Sequence, residues 1–139
     1  MSGEQHRLRF PPTREGFRGA SRTLIALLHE RALAVDARYD IQLVFDEIAI
    51  NIVHHGRPRS DVEVWITFHE THVILTFEDD GHPFDPRQHP EPPGPTSVDD
   101  ASFGGRGIML VRRLSTHIEY EFTPQSRNLL TLAVPVAKT

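Results

Sequence analysis

Three groups of residues in this 139-residue chain have the types and spacing to do chemistry. Glu47 and Asn51 stand four apart, which on a helix puts both side chains on one face, offset by about 40° around the axis. A carboxylate and a carboxamide so placed can act together, and Asn inside a helix costs a few tenths of a kcal/mol against better helix formers. The second group is Glu78-Asp79-Asp80-Gly81-His82-Pro83-Phe84-Asp85, where carboxylates crowd a glycine that lets the backbone turn or a ligand come close. The third is Gly104-Gly105-Arg106-Gly107-Ile108-Met109-Leu110-Val111, glycine-rich chain running into a helical pattern. Bare N–H groups at such a helix start attract phosphate. It is neither a Walker A loop, which needs a following Lys and Ser/Thr, nor a dinucleotide fingerprint, which needs a strand just before it. Taken singly, each group has a plainer reading: a solvated polar stripe, an acidic turn, a flexible glycine turn.

The nine histidines do not make a metal site by spacing. His54 and His55 are helix neighbours pointing about 100° apart, and His69 and His72 flank a probable hairpin bend, one residue short of the zinc-protease spacing. Structural or solvent-exposed roles are expected for them, and Trp65 and Phe68 are expected in the sheet core or an interface. With no cysteine, a disulfide framework, a thiolate zinc site and a cysteine nucleophile are excluded. A formal net charge of −4 argues against non-specific nucleic-acid or membrane-surface binding, since both need concentrated Lys and Arg. The first ten residues lack a signal-peptide core and no window approaches the roughly 18 apolar residues of a membrane span, so a cytoplasmic protein is expected.

The elements that must position these groups follow from periodicity. Residues 6–10 alternate as a short edge strand before Pro11-Pro12. Phe17, Ala20, Leu24, Leu27, Leu28 and Leu33 predict an amphipathic helix over 16–34. Ile41, Val44, Phe45, Ile48 and Ile52 predict a second over 39–55, stopped by Gly56 and Pro58. Val62, Val64, Ile66 and Phe68, then Val73, Leu75 and Phe77, predict a hairpin bending near Glu70-Thr71. A short helix over 107–115 and strands over 117–122 and 128–136 complete the chain. The length suits one hydrophobic core, and 38% hydrophobic residues can fill it. This order predicts an α/β two-layer sandwich over 1–139, a mixed, mostly antiparallel sheet with helices on one face. Between Asp79 and Gly105 lie six of the eleven prolines, a structureless run of the kind that forms a functional lid.

In this order, Glu-x-x-x-Asn on a helix, Asp-x-Gly after a strand, a long loop, then Gly-x-Gly opening a helix, the three groups resemble the N, G1 and G2 boxes of the gyrase, heat-shock chaperone, histidine kinase and MutL (GHKL) ATPase superfamily. Within it, Asp46-Glu47-Ile48-Ala49-Ile50-Asn51-Ile52-Val53-His54-His55-Gly56, Asp80-Gly81-His82-Pro83-Phe84-Asp85-Pro86 and Gly104 to Leu114 are similar to the bacterial anti-sigma factor serine/threonine kinases. The likeness runs from Leu8 to Val136 and implies a Bergerat-type ATP-binding fold.

The resemblance also implies roles. Asn51 would give its side-chain oxygen to a magnesium ion bridging the phosphates of ATP. Asp79, two before the glycine, would accept a hydrogen bond from the adenine amino group, with Gly81 letting the base lie close. Gly105, Arg106, Gly107 and Ile108 would turn backbone N–H groups to the phosphates, residues 83–103 would form the lid, and Thr131 would join the adenine pocket. Glu47 would be the catalytic carboxylate, taking the proton of a Ser or Thr hydroxyl. The implied partner is an anti-sigma factor antagonist of the STAS type, with a sigma factor as the other protein sequestered by partner switching. Homodimerisation is a family expectation. Pro83 departs from the second glycine of many relatives; it removes an N–H and restricts φ, which favours a nucleotide-binding interaction module with little phosphotransfer as the alternative. A sensor histidine kinase fragment is disfavoured, since no dimerising helix with a phospho-acceptor His is present.

Overall fold

The computed structural model describes residues 3–88 and 105–136. Its elements are β1 (Glu4–Phe10), α1 (Arg14–His29), α2 (Val35–Asn51), β2 (Val62–Phe68), β3 (His72–Asp79), α3 (Gly105–Leu114), β4 (His117–Phe122) and β5 (Asn128–Pro135). One wide helical turn, Ile52–Gly56, continues α2. The strands form one sheet in the order β1-β2-β3-β5-β4. Each of its four pairings is antiparallel, within the mostly antiparallel sheet that the element order predicts.

Strand alternation decides what faces the helices. Val62, Val64 and Ile66 of β2, Val73, Leu75 and Phe77 of β3, and Leu130, Leu132 and Val134 of β5 are buried together with Leu24 and Leu28 of α1, Ile41, Val44, Phe45 and Ile48 of α2, and Ile108 and Val111 of α3. Full burial of such side chains stabilises the fold by roughly 1.5–3 kcal/mol each before the cost of ordering them. Phe45 and Phe77, both fully buried, meet with ring centroids 5.6 Å apart and lock α2 onto β3. Because each ring lies a few residues before the end of its element, the two ends, Asn51 and Asp79, arrive on the same side of the molecule.

Helix boundaries depart from the expected ones for local reasons. Thr13 caps α1, its Oγ1 accepting from Gly16 N at 3.0 Å, so the helix opens at Arg14. It stops at His29: Arg31 leaves it to pair with Glu4 of β1 and to lie over the Phe68 ring at 4.3 Å, while Leu33, which prolonged the helical pattern, packs on the core from the connection. The second helix starts at Val35, earlier than expected, because its first turns carry little burial signal: Val35 is 59% and Tyr39 75% exposed. No described helix is long and apolar enough to cross a membrane.

Candidate active site

The helix layer and the sheet part at one end, leaving a narrow cleft lined by Ile48, Asn51, Ile52, Gly56, Asp79, His82, Phe84, Tyr120, Asn128 and Leu130. Its open volume, about 30 Å³, holds a water molecule and not a purine ring, so a base entering there has to move the exposed His82 and the half-buried Phe84 outward.

Asp79 ends β3 on the buried face and is 3% exposed. Its Oδ1 accepts from Gly81 N at 2.7 Å and from Asn128 Nδ2 at 3.2 Å, while Oδ2 takes no hydrogen bond among the described residues. Burial pushes its carboxyl up from the ordinary value, against those two donors. Asp80 points elsewhere: its carboxylate takes the backbone N–H groups of Arg59 and Ser60 and the Ser60 hydroxyl, so Asp79 is the acid in the cleft. Gly81 is required by close approach, since a Cβ there would lie 2.5 Å from Gly56 O, and His82 N donates to that same oxygen at 2.8 Å.

The wide turn brings Gly56 to this point. Arg57 N reaches back to Ile52 O at 3.0 Å, and Arg57 closes the turn in the left-handed region at φ 51°. Widened turns of this sort recur at functional sites. Just before it, Asn51 is 7% exposed, and its Nδ2 is buried with no hydrogen-bond partner among the described residues. A buried amide left unpaired costs about 1–3 kcal/mol, which makes it a place for a polar ligand.

Glu47, one turn before Asn51, is half-buried and lies against the first turn of α3: its Oε2 is 1.9 Å from where a Cβ on Gly107 would stand. Its carboxyl is pushed up by burial and secondarily by the neighbouring Asp46 carboxylate. Asp46 in turn accepts from Ser21 Oγ at 2.8 Å and Gln42 Nε2 at 3.1 Å, a polar bridge between α1 and α2 that fixes where that charge stands. Ile108 follows Gly107 with its side chain buried in the core, so these two positions offer a ligand main chain. Gly105 and Arg106 open α3, but the Arg106 side chain and residues 89–104, most of the expected lid, lie outside the described residues.

Thr131 does not join the others. It pairs with Thr76 in the register of β3 and β5, and their hydroxyls are 3.5 Å apart on the sheet face away from the helices. Parity is the reason: Asn128, Leu130 and Leu132 face the helix layer, and Thr131 alternates outward. The polar residue of β5 in the cleft is Asn128, which the sequence pattern does not single out, and neither does it single out Tyr120; His82 and Phe84, both in the second group, line the cleft as well. A signal was present, because Asn128 is a polar residue at a position of core parity.

These groups fit a phosphate-bearing ligand: a buried Asn51 amide nitrogen that can donate to a phosphate oxygen, a carboxylate with one oxygen to spare, and a glycine in the first helix turn that leaves room for a second carboxylate, while the Asn51 side-chain oxygen has the chemistry to ligate a hard cation. No cluster of three His, Asp or Glu able to hold a metal occurs among the described residues. A cation held at Asn51 would have to draw its other oxygens from the ligand and water, as magnesium does with nucleotides.

The fold and this cleft define a nucleotide-handling α/β sandwich, and the chain belongs to the histidine kinase-like ATPase domain family, whose model matches residues 10–134. Membership in this family implies ATP use. The chain is 34% identical over 87 residues to the serine/threonine-protein kinase BtrW of Bordetella bronchiseptica, a match covering 60% of this chain and 61% of BtrW. Two solved structures share the fold at 14% identity: the RsbU and RsbW domains of Rv1364c from Mycobacterium tuberculosis (TM-score 0.69, 98% of this chain and 33% of that one) and the SiaB-SiaC complex from Pseudomonas aeruginosa (TM-score 0.68, 93% and 88%).

Proposed function

We propose that the protein is an ATP-dependent serine/threonine protein kinase and anti-sigma factor of the cytoplasm that phosphorylates a STAS-type antagonist and switches partners with nucleotide state. The observation that carries this reading is the convergence of Glu47 and Gly107, with Asn51 one turn on and Asp79 on the cleft wall. Asp79 Oδ2 accepts from the adenine amino group, and the N–H groups of the α3 first turn hold phosphate oxygens. Asn51 gives Oδ1 to magnesium, whose chemistry there is to neutralise phosphate charge. Glu47 takes the proton of the substrate hydroxyl as that oxygen bonds to the γ-phosphorus and the bond to the β–γ bridging oxygen breaks, releasing ADP. Burial raises its proton affinity, the direction that makes a carboxylate a stronger base. The chain acts as a single domain, two copies of it associate, and a sigma factor is the second partner.

One observation favours a second reading, a nucleotide-binding module that sequesters its partner without efficient transfer: Pro83 follows the cleft residues where an N–H would be useful to a hinge. Incubation with labelled ATP, magnesium and the STAS proteins of the same genome separates the two. Label on the STAS protein supports the kinase; a stable complex without label supports the module.

A further inference from the structure

Asn128 makes more of the cleft's internal hydrogen bonds than any residue already given a role. It opens β5 directly opposite Asp79 of β3 and is 6% exposed. Its Nδ2 lies 3.2 Å from Asp79 Oδ1, 3.0 Å from Gly81 O and 3.2 Å from His82 O. Two amide hydrogens thus serve three acceptors, one on the acid and two on the loop that closes the cleft. The other end of the amide is fixed as well: Tyr120 of β4, diagonal to Asn128 across the β4–β5 pair, donates its hydroxyl to Asn128 Oδ1. With Oδ1 held by a donor, the NH₂ group has to face Asp79 and the loop. Tyr120 is itself on the cleft wall, where burial raises its phenol above the ordinary value and keeps it a donor.

We infer that Asn128, oriented by Tyr120, is the positioning residue that sets the preference for adenine: it ties down Asp79 Oδ1 and leaves Oδ2 as the acceptor for an exocyclic amino group. This rests on the assignment of Asp79 to the base. A carboxylate held at one oxygen by two donors cannot rotate to present a different edge, and it has no hydrogen to offer a base carrying a carbonyl at the same position. Discrimination of this kind is strong because a mismatched base leaves buried polar groups unpaired. The same amide, through Gly81 O and His82 O, holds the loop that a base must shift, so part of the linkage is remade when the base enters.

The test compares ATP with inosine triphosphate, which carries a carbonyl in place of the amino group, by calorimetry on the full chain. The parental protein is expected to favour ATP. Asn128→Ala should weaken ATP about tenfold, the scale of one hydrogen bond to a charged group, and weaken inosine triphosphate much less, so that the preference falls. Tyr120→Phe, which removes one hydroxyl and leaves the ring packed, should lower the preference in the same direction; in the Asn128→Ala background it should leave the preference unchanged, because its remaining partner, the Phe84 backbone, does not orient Asp79. Equal losses for both nucleotides, or an unchanged preference in folded Tyr120→Phe, would overturn the positioning role while leaving the nucleotide site standing. A parental protein that binds neither nucleotide would overturn the site assignment and this inference with it.

Discussion

Oε2 of Glu47 occupies the ground where a side chain at position 107 would begin: a Cβ on Gly107 would lie 1.9 Å from it and 2.5 Å from the carboxylate carbon. This glycine in the first turn of α3 therefore serves two needs, bare main chain for a ligand and room for the acid behind it. Gly107→Ala should destabilise the protein by about 1–3 kcal/mol, the usual cost of overpacking, and lower phosphotransfer further by pushing the carboxylate aside. In a Glu47→Ala background the added methyl has space, so the same substitution should then cost little. Thermal denaturation of the four proteins checks this; additive losses would mean that the two residues do not touch.

Glu47→Gln keeps the shape and removes the base. Nucleotide binding should persist while transfer to a STAS substrate slows by roughly 10²–10⁴ fold. The pH profile carries a second signature. Burial and Asp46 raise the Glu47 carboxyl above its ordinary 4.5, so the proton-accepting form fills only above that raised value, and activity should climb with pH through it. That acidic limb should vanish in the Gln protein. Transfer at the parental rate would remove Glu47 from the mechanism.

Most of this arrangement is written in the sequence, for a physical reason. The hydrophobic periods of α2, β2 and β3 are regular, and the polar residues that stand beside or end them, Glu47, Asn51 and Asp79, are conspicuous because a core has no use for them. What a linear reading misses is what depends on register between distant strands. Thr131 attracts notice as a polar residue mid-strand, but its neighbours Leu130 and Leu132 hold the inward positions and send it to the far face. Asn128 stands at the strand's first residue, where Asn is also a common turn former, so its inward parity is easily taken for a boundary. The extent of α1 misleads similarly: Leu33 prolongs the apolar run after Leu28 but stands five residues on, off the helical face, in a connection that the Arg31–Glu4 pair holds against the sheet.

Asn51→Ala should separate stability from function. The amide nitrogen is buried without a partner among the described residues, so removing it relieves a cost of about 1–3 kcal/mol, partly offset by the small cavity left behind. The ligand-free protein should melt no lower than the parent, yet magnesium-dependent ATP binding should be lost. Calorimetry with and without a chelator makes the measurement, and an undiminished magnesium-dependent affinity would sink the assignment. Sites kept for a ligand commonly cost stability in this way.

Asp79→Asn asks the same question of the base pocket, with a sign that can be worked out. Burial raises the folded carboxyl above its ordinary 3.8, more than Gly81 N and Asn128 pull it down. A group raised on folding favours the folded state below its unfolded value, and that contribution is lost as pH rises through the folded one. The parent should therefore lose stability relative to Asp79→Asn as pH climbs out of the acid range, leaving the Asn protein equally stable or more so at neutral pH. Its ATP affinity should nonetheless fall by about 1.5–3 kcal/mol, since the substituted amide offers a weaker acceptor or a donor facing a donor. Melting curves across pH give the first quantity and calorimetry the second. A protein stabilised at neutral pH that still binds ATP like the parent would show that this buried acid serves something other than the base.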